Sequence, residues 1–181
     1  MSYYHGTNII IDTIDLSKSR LRTDFGRGFY FADKSETAQS WALRRMEFSG
    51  GIPTVLRYEV SNGIFKLHGK RFESEPSLEW LHFISKNRRL NDNNTSKNEP
   101  RHNYNWVSGP IANDKIADVV DDFLEGEISD VEAVKRARAL PYTYQLSLHT
   151  KEAIFFVDES NITYKQFKSS KWSQSWRSIN R

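Results

Sequence analysis

From Ile116 to Leu124 the apolar residues Ile116, Val119, Val120, Phe123 and Leu124 fall at i, i+3, i+4, i+7 and i+8. That spacing predicts a helix over 113–125, with Gly126 placed to stop it. The same period, more weakly, predicts a helix from about residue 34, where Ala38, Trp41, Ala42 and Met46 form a stripe. Asp33 and Glu36 would open it as a capping box, and Gly50-Gly51 would end it. Pro76 followed by Leu78, Leu81 and Ile84 predicts another helix, and Ser129 with Glu132 opens one that Pro141 closes.

Elsewhere the period is two. Tyr3–His5, Phe29–Ala32 and Pro53–Val60 read as strands, and Asn62-Gly63 predicts a hairpin into a strand at Ile64–Leu67. Tyr142, Tyr144, Leu146 and Leu148 alternate with Thr143, Gln145, Ser147 and His149, which predicts a strand with one polar face. Ile154–Val157 and Ile162–Phe167 complete the strands. The segment 87–103 is polar and asparagine-rich and reads as a mobile loop. Strands and helices without a regular β-α-β rhythm predict an α+β fold rather than a doubly wound sheet.

Length and composition narrow this picture. At 181 residues, with 38% apolar and 13% aromatic side chains, the chain suits one domain with a real core. It has no cysteine, which excludes a disulfide framework and thiolate zinc sites. The start lacks the pattern of a signal peptide, and no apolar run reaches the ~20 residues of a membrane span. A cytoplasmic protein without a membrane partner is the expectation. The formal charge is only +3. Its distribution is uneven: 118–132 carries acids and no bases, whereas 161–181 carries Lys165, Lys168, Lys171, Arg177 and Arg181 and no acid. In that tail Tyr164, Phe167, Trp172 and Trp176 interleave with the cations. Such a mixture can grip a phosphate backbone, and it equally fits a terminal helix whose tryptophans cover the core.

Standard site motifs are absent. Phe25–Gly28 has neither the Lys-Ser/Thr of a phosphate loop nor the third glycine of a dinucleotide fingerprint. The five histidines show no paired helical spacing that would point to a metal. A G-x-S-x-G elbow is also missing. What the chain does have is an order of motifs: Y-H-G-T at Tyr4–Thr7, F-G-R-G-F-Y-F-A-D at Phe25–Asp33, G-P-I-A-N-D at Gly109–Asp114, and Q-L-S-L-H-T at Gln145–Thr150. Singly, each has an ordinary explanation as a turn, a helix cap or a strand. In this order they resemble the ADP-ribosyltransferase superfamily, in its poly-ADP-ribose-polymerase and diphtheria-toxin-like branch, whose F-G-K-G-I-Y-F-A-D the second motif nearly repeats. The last two motifs are similar to those of a bacterial family of small proteins within that superfamily.

The resemblance implies a split, mixed or antiparallel sheet with flanking helices. The resemblance covers residues 3 to about 157 and implies a catalytic domain over 1–164 with a helical insertion at about 76–140, leaving 165–181 as a basic aromatic tail. It implies NAD as substrate and transfer of ADP-ribose to a macromolecular acceptor, nucleic acid or protein. A toxin–antitoxin or phage-defence setting, with an antitoxin protein as partner, follows from the same likeness. His5 would bond a ribose, Gly6 would offer its backbone to the nicotinamide amide, and Tyr30 would stack on the ring. Thr7, Gly28, Thr37 and Trp41 would line the cofactor site. Gln145 stands where well-studied members carry a glutamate; its carbonyl accepts the same hydrogen bond but bears no charge. Asp24 and Asp114 are the nearest carboxylates that could serve instead, and Asn113 is a further candidate site residue. Ser147, two residues on, replaces the second glutamate of arginine-specific members. An NAD glycohydrolase, or a non-catalytic domain binding nucleotide or nucleic acid, are the alternatives.

Overall fold

A computed structural model describes residues 1–88 and 102–179. Among these, nine strands form one mixed sheet with five helices: β1 (Ser2–Thr7), β2 (Phe29–Ala32), α1 (Ser35–Ser49), β3 (Thr54–Val60), β4 (Gly69–Arg71), α2 (Leu78–Arg88), β5 (Trp106–Pro110), α3 (Asp114–Leu124), α4 (Asp130–Arg138), β6 (Tyr144–Leu148), α5 (Lys151–Ile154), β7 (Val157–Lys168), β8 (Lys171–Trp172) and β9 (Arg177–Ser178). The order is β4-β5-β6-β2-β1-β3-β7-β8, with β9 also on β7. All pairs are antiparallel except β4 with β5. The fold is α+β, and no helix among the described residues is long and apolar enough to cross a membrane.

Cross-strand partners share a face, and successive residues alternate between faces. Tyr4 lies opposite Ala32, and Ala32 opposite Gln145, so Gly6, Tyr30 and Ser147 share that first face. Helix α1 covers it over β1 and β3, burying Ala32, Ala38, Ala42 and Val55. Helices α2, α3 and α4 cover it over β5 and β6, around Phe25, Trp80, Ile84, Val107, Ile116 and Val120. The second face holds Phe29, Phe31, Leu56, Tyr58, Leu146 and Leu148, closed by Ile14, Ile64, Ala153 and Ile162. Both faces are therefore filled, and β6 keeps the expected polar face of Gln145 and Ser147 but buries it, with Tyr144 half-buried at its start.

Several local expectations change for identifiable reasons. Asn62-Gly63 opens no hairpin: Ser61 Oγ accepts the Gly63 N–H at 3.3 Å, and a 3-10 turn spans Asn62–Lys66. The Phe156 ring rests close over this glycine: a Cβ there would lie 2.7 Å from it and would require the ring to shift. Asp33 does not cap α1, since its N–H bonds Tyr144 O at 3.2 Å and prolongs the sheet; Lys34 is the cap residue. Of the strand expected at Ile154–Val157, Ile154 ends α5, 155–156 form a turn, and Val157 begins β7. The 76–140 insertion is interrupted by β5, an internal strand of the sheet. Of the loop expected at 87–103, Asn87 and Arg88 belong to α2 and His102 is bonded to Phe25 O at 2.7 Å, while 89–101 lie outside the described residues. The boundary at 164/165 falls inside β7, the longest strand. The tail forms strands instead of a helix, and Trp176 packs on Tyr4 between Arg57 and Lys165, each cation about 5 Å from its ring.

Candidate functional site

Strands β1 and β3 pair along all of Ser2–Thr7, but β1 and β2 share a single pair, Tyr4 with Ala32. Continued by alternation, that ladder would set Gly6 opposite Tyr30. Instead the strands part, and the His5 ring bridges the gap, its Nδ1 2.7 Å from Tyr30 O and its face stacked on Phe29 at 4.3 Å. His5 and Tyr30 belong to opposite faces by parity, yet the parting lets both line one cleft of about 590 Å³. That volume lies in the range of small-molecule sites. Its lining also includes Gly6, Thr7, Asp24, Gly28, Trp41 and Gln145.

One wall is β1 with α1. A Cβ on Gly6 would lie 2.1 Å from Ala38 O, so this glycine is what allows α1 to rest on the strand. Trp41, 38% exposed, and half-buried Arg45 extend from α1 into the cleft. Arg45 has no carboxylate partner among the described residues, and burial, followed by the charge of Arg20, lowers its pKa. Arg20 and Arg22 stand at the same cleft.

The other wall is β2 with β6 and the turn Thr23–Gly26. Gly26 has φ of 80°, a conformation that favours glycine. The Tyr30 hydroxyl clamps this turn: it donates to Gly26 O at 2.6 Å, accepts from Phe25 N–H at 3.0 Å, and lies 2.8 Å from Thr23 Oγ1. Burial raises its pKa, so the phenol stays neutral. The clamped turn presents Asp24, which is 7% exposed. Its Oδ1 accepts from Arg88 Nε at 3.0 Å and Nη2 at 2.5 Å, and its Oδ2 accepts from Ala112 N–H at 3.0 Å and Gln145 Nε2 at 2.9 Å. Burial works against the Arg88 charge, but Asp24 more than offsets it, leaving the Arg88 pKa raised. Gly28 clears room for His149, whose Nδ1 would lie 2.6 Å from an added Cβ, as well as facing the cleft.

The protonation states follow. Burial, with a smaller effect of Arg45, lowers the His5 pKa to about 4, against the bond to Tyr30 O. The ring is neutral at pH 7, and a carbonyl at Nδ1 requires the proton there. Nε2 is left as an acceptor with no partner among the described residues. The Gln145 amide nitrogen faces Asp24 Oδ2 and, at 3.5 Å, Pro110 O; two acceptors fix which end is NH₂. Its Oε1 is bonded to no described residue and is not sealed from the cleft. The cleft therefore offers two unused neutral acceptors, flat rings, and three arginines, Arg20, Arg22 and Arg45, that have no ion pair among the described residues although Asp12 and Asp15 share the lining.

The remaining expected residues stand apart. Thr37 is in the first turn of α1 and does not line the cleft, whereas Ala38, Trp41 and Arg45 do. Asn113 is the N-cap of α3, accepting from Ile116 N–H at 3.4 Å and donating to Pro141 O at 2.9 Å, outside the cleft. Asp114 begins α3, and its side chain lies outside the described residues. Sequence reasoning missed Arg88, Arg45 and the Ala112 amide. Only Arg45 carried a signal, one turn beyond Trp41 on the α1 stripe.

The family model described as "Protein of unknown function (DUF3990)" matches residues 1–158. The chain belongs to that family, and the match includes all the cleft residues named above. No curated protein and no solved structure matches the chain.

Proposed function

We propose that this protein is an NAD-dependent mono-ADP-ribosyltransferase acting on a macromolecular acceptor, nucleic acid or protein. The observation that carries the reading is the parting of β1 and β2, which gathers His5, Gly6, Tyr30 and Gln145 into one cleft. In the reaction the bond between nicotinamide and the anomeric carbon of ribose breaks, nicotinamide leaves with the bonding pair, and the acceptor's nucleophile bonds that carbon and loses its proton. The protein's task is to hold three chemically different parts. His5 Nε2 accepts from a ribose hydroxyl, and the Tyr30 ring supplies a flat face for nicotinamide. Gln145 Oε1 accepts from the other ribose and turns its negative end toward the developing cation. Arg20, Arg22 and Arg45 suit the pyrophosphate. The toxin setting and its antitoxin partner rest on the motif resemblance alone.

Calorimetry with NAD, and label transfer from radiolabelled NAD to fractionated protein and RNA, test the reading. His5→Ala and Tyr30→Ala should each weaken NAD binding about tenfold, the loss of about 1.4 kcal/mol. Absence of both heat and label for the unaltered protein would end the transferase reading. Free ADP-ribose without a labelled acceptor would reassign it to a glycohydrolase.

A further inference from the structure

Gln145 is neutral, and its carboxamide presents opposite chemistry at its two ends, so its orientation decides whether the cleft meets an acceptor or a donor. Nothing in Gln145 itself fixes that choice. The shorter of the two bonds that fix it is made to Asp24, with Pro110 O at 3.5 Å the longer one. Asp24 is a carboxylate held on a turn with all four of its polar contacts made by donors: Arg88 twice on Oδ1, Ala112 N–H and Gln145 Nε2 on Oδ2. We propose that Asp24 is a positioning residue that holds the Gln145 carboxamide with its oxygen toward the cleft, and that the Asp24–Gln145 pair together replaces a single charged carboxylate. This rests on the transferase reading for its kinetic consequence, though not for its geometry.

The chain of support is continuous. Tyr30, the ring beside the cleft, clamps the Thr23–Gly26 turn through its hydroxyl. The turn carries Asp24, Arg88 from α2 fastens the outer oxygen, and the inner oxygen holds Gln145 across the sheet from Ala32. Asp24 thus touches no reacting atom in this scheme and acts only through Gln145.

Replacing Asp24 by asparagine keeps the volume and removes one acceptor. The new NH₂ cannot face Arg88 without breaking two charge-assisted bonds, so it takes the place of Oδ2 and leaves the Ala112 N–H without that acceptor. There it confronts the Gln145 NH₂, which turns round so that its oxygen accepts from the new amide. The cleft then meets NH₂ where it had an oxygen. Adding Gln145→Glu to Asp24→Asn removes the conflict at position 145, where one glutamate oxygen accepts from the amide and the other faces the cleft; the Ala112 N–H has lost its acceptor in both variants, so it does not distinguish them.

The test is steady-state NAD turnover by the full chain with Asp24→Asn, Gln145→Glu/Asp24→Asn and the unaltered protein, beside thermal melts. Asp24→Asn should lower kcat about 100-fold with KM for NAD within about threefold, as for a misplaced group. The double variant should recover at least about tenfold of that loss. A second readout needs no turnover and covers the case where a variant folds poorly. In the unaltered protein the Gln145 side-chain NH₂ protons should exchange slowly with solvent by NMR, and in Asp24→Asn they should exchange fast. Unchanged kcat in Asp24→Asn, no recovery in the double variant, or fast exchange in the unaltered protein would each overturn the assignment. An unaltered protein with no NAD turnover would instead overturn the transferase reading, and the exchange rates alone would then decide the role of Asp24.

Discussion

The two walls of the cleft are held by different physics. The β1–α1 wall is a packing wall: a glycine brings a helix backbone against a strand, and apolar side chains fill what remains. The β2–β6 wall is a polar wall: a tyrosine clamps a turn, and a buried carboxylate gathers an arginine, a backbone amide and a glutamine. Packing walls fail when volume changes; polar walls fail when one partner is lost and the other remains buried. The same cleft should therefore break in two distinguishable ways.

The largest effect belongs to the packing wall. Gly6→Val places atoms 2.1 Å from the Ala38 carbonyl, which belongs to the backbone of α1 and moves only if the helix does. Unfolding in urea should show at least about 3 kcal/mol lost, the upper range for overpacking. Recovery of full stability would mean that α1 is more loosely seated than its contacts indicate. On the polar wall, Arg88→Met leaves the Asp24 carboxylate buried beside no cation. The expected loss is about 3 kcal/mol, and adding Asp24→Leu should return much of it, because the cost lies in the unpaired charge. An additive double variant would contradict that account.

Acid offers a graded way to stress the junction of the walls. His5 bridges them, and His149 lies behind Gly28 with Nδ1 2.8 Å from Arg27 O and Nε2 2.8 Å from Ser147 Oγ. Burial lowers the pKa of His5 to about 4 and that of His149, helped by His102, to about 3. The unfolded chain takes up these protons near pH 6.5, the folded chain only below those values. Stability is thus whole above pH 6.5 and falls as pH descends, at up to about 1.4 kcal/mol per pH unit for each histidine. Melting temperatures at pH 7.5, 5.5 and 4.5 check the sign, and His149→Gln should flatten the slope.

The packing wall was legible in the sequence as periodicity, whereas of the polar wall the motifs offered Tyr30, Asp24 and Gln145 but not the bonds that join them to Arg88 and the Ala112 amide. The α3 stripe and the alternation of Phe29, Tyr30 and Phe31 are local periodicities that reappear as predicted, whereas of the α1 stripe Ala38 and Ala42 are buried, Met46 is half-buried and Trp41 is exposed at the cleft. Y-H-G-T and F-G-R-G-F-Y-F-A-D likewise reach the cleft together. Asp24, Arg88, Ala112 and Gln145 are spread over 121 positions, and no spacing announces that a carboxylate at one end fixes an amide at the other. The parting of β1 from β2 is equally invisible to a period of two, which assigns His5 and Tyr30 to opposite faces. The resemblance cast Gly6 as a backbone contact to nicotinamide and Gly28 as cofactor lining; Gly6 admits α1 and Gly28 admits His149, so their first obligation is to the fold.

The smallest prediction separates cleft from scaffold. Asn113 looked like a site residue because it follows Gly109–Ala112 in one motif, yet its side chain caps α3 and ties it to Pro141 O. Asn113→Ala should cost about 1 kcal/mol in unfolding by loss of the cap. NAD affinity should stay unchanged by calorimetry, because Asn113 does not line the cleft while Ile111 and Ala112 do. A fall in affinity at preserved stability would move the boundary of the site outward along the α3 N-terminus. It would also tie the polar wall to α3 as well as α2, since the Ala112 amide that holds Asp24 is the residue immediately before the cap.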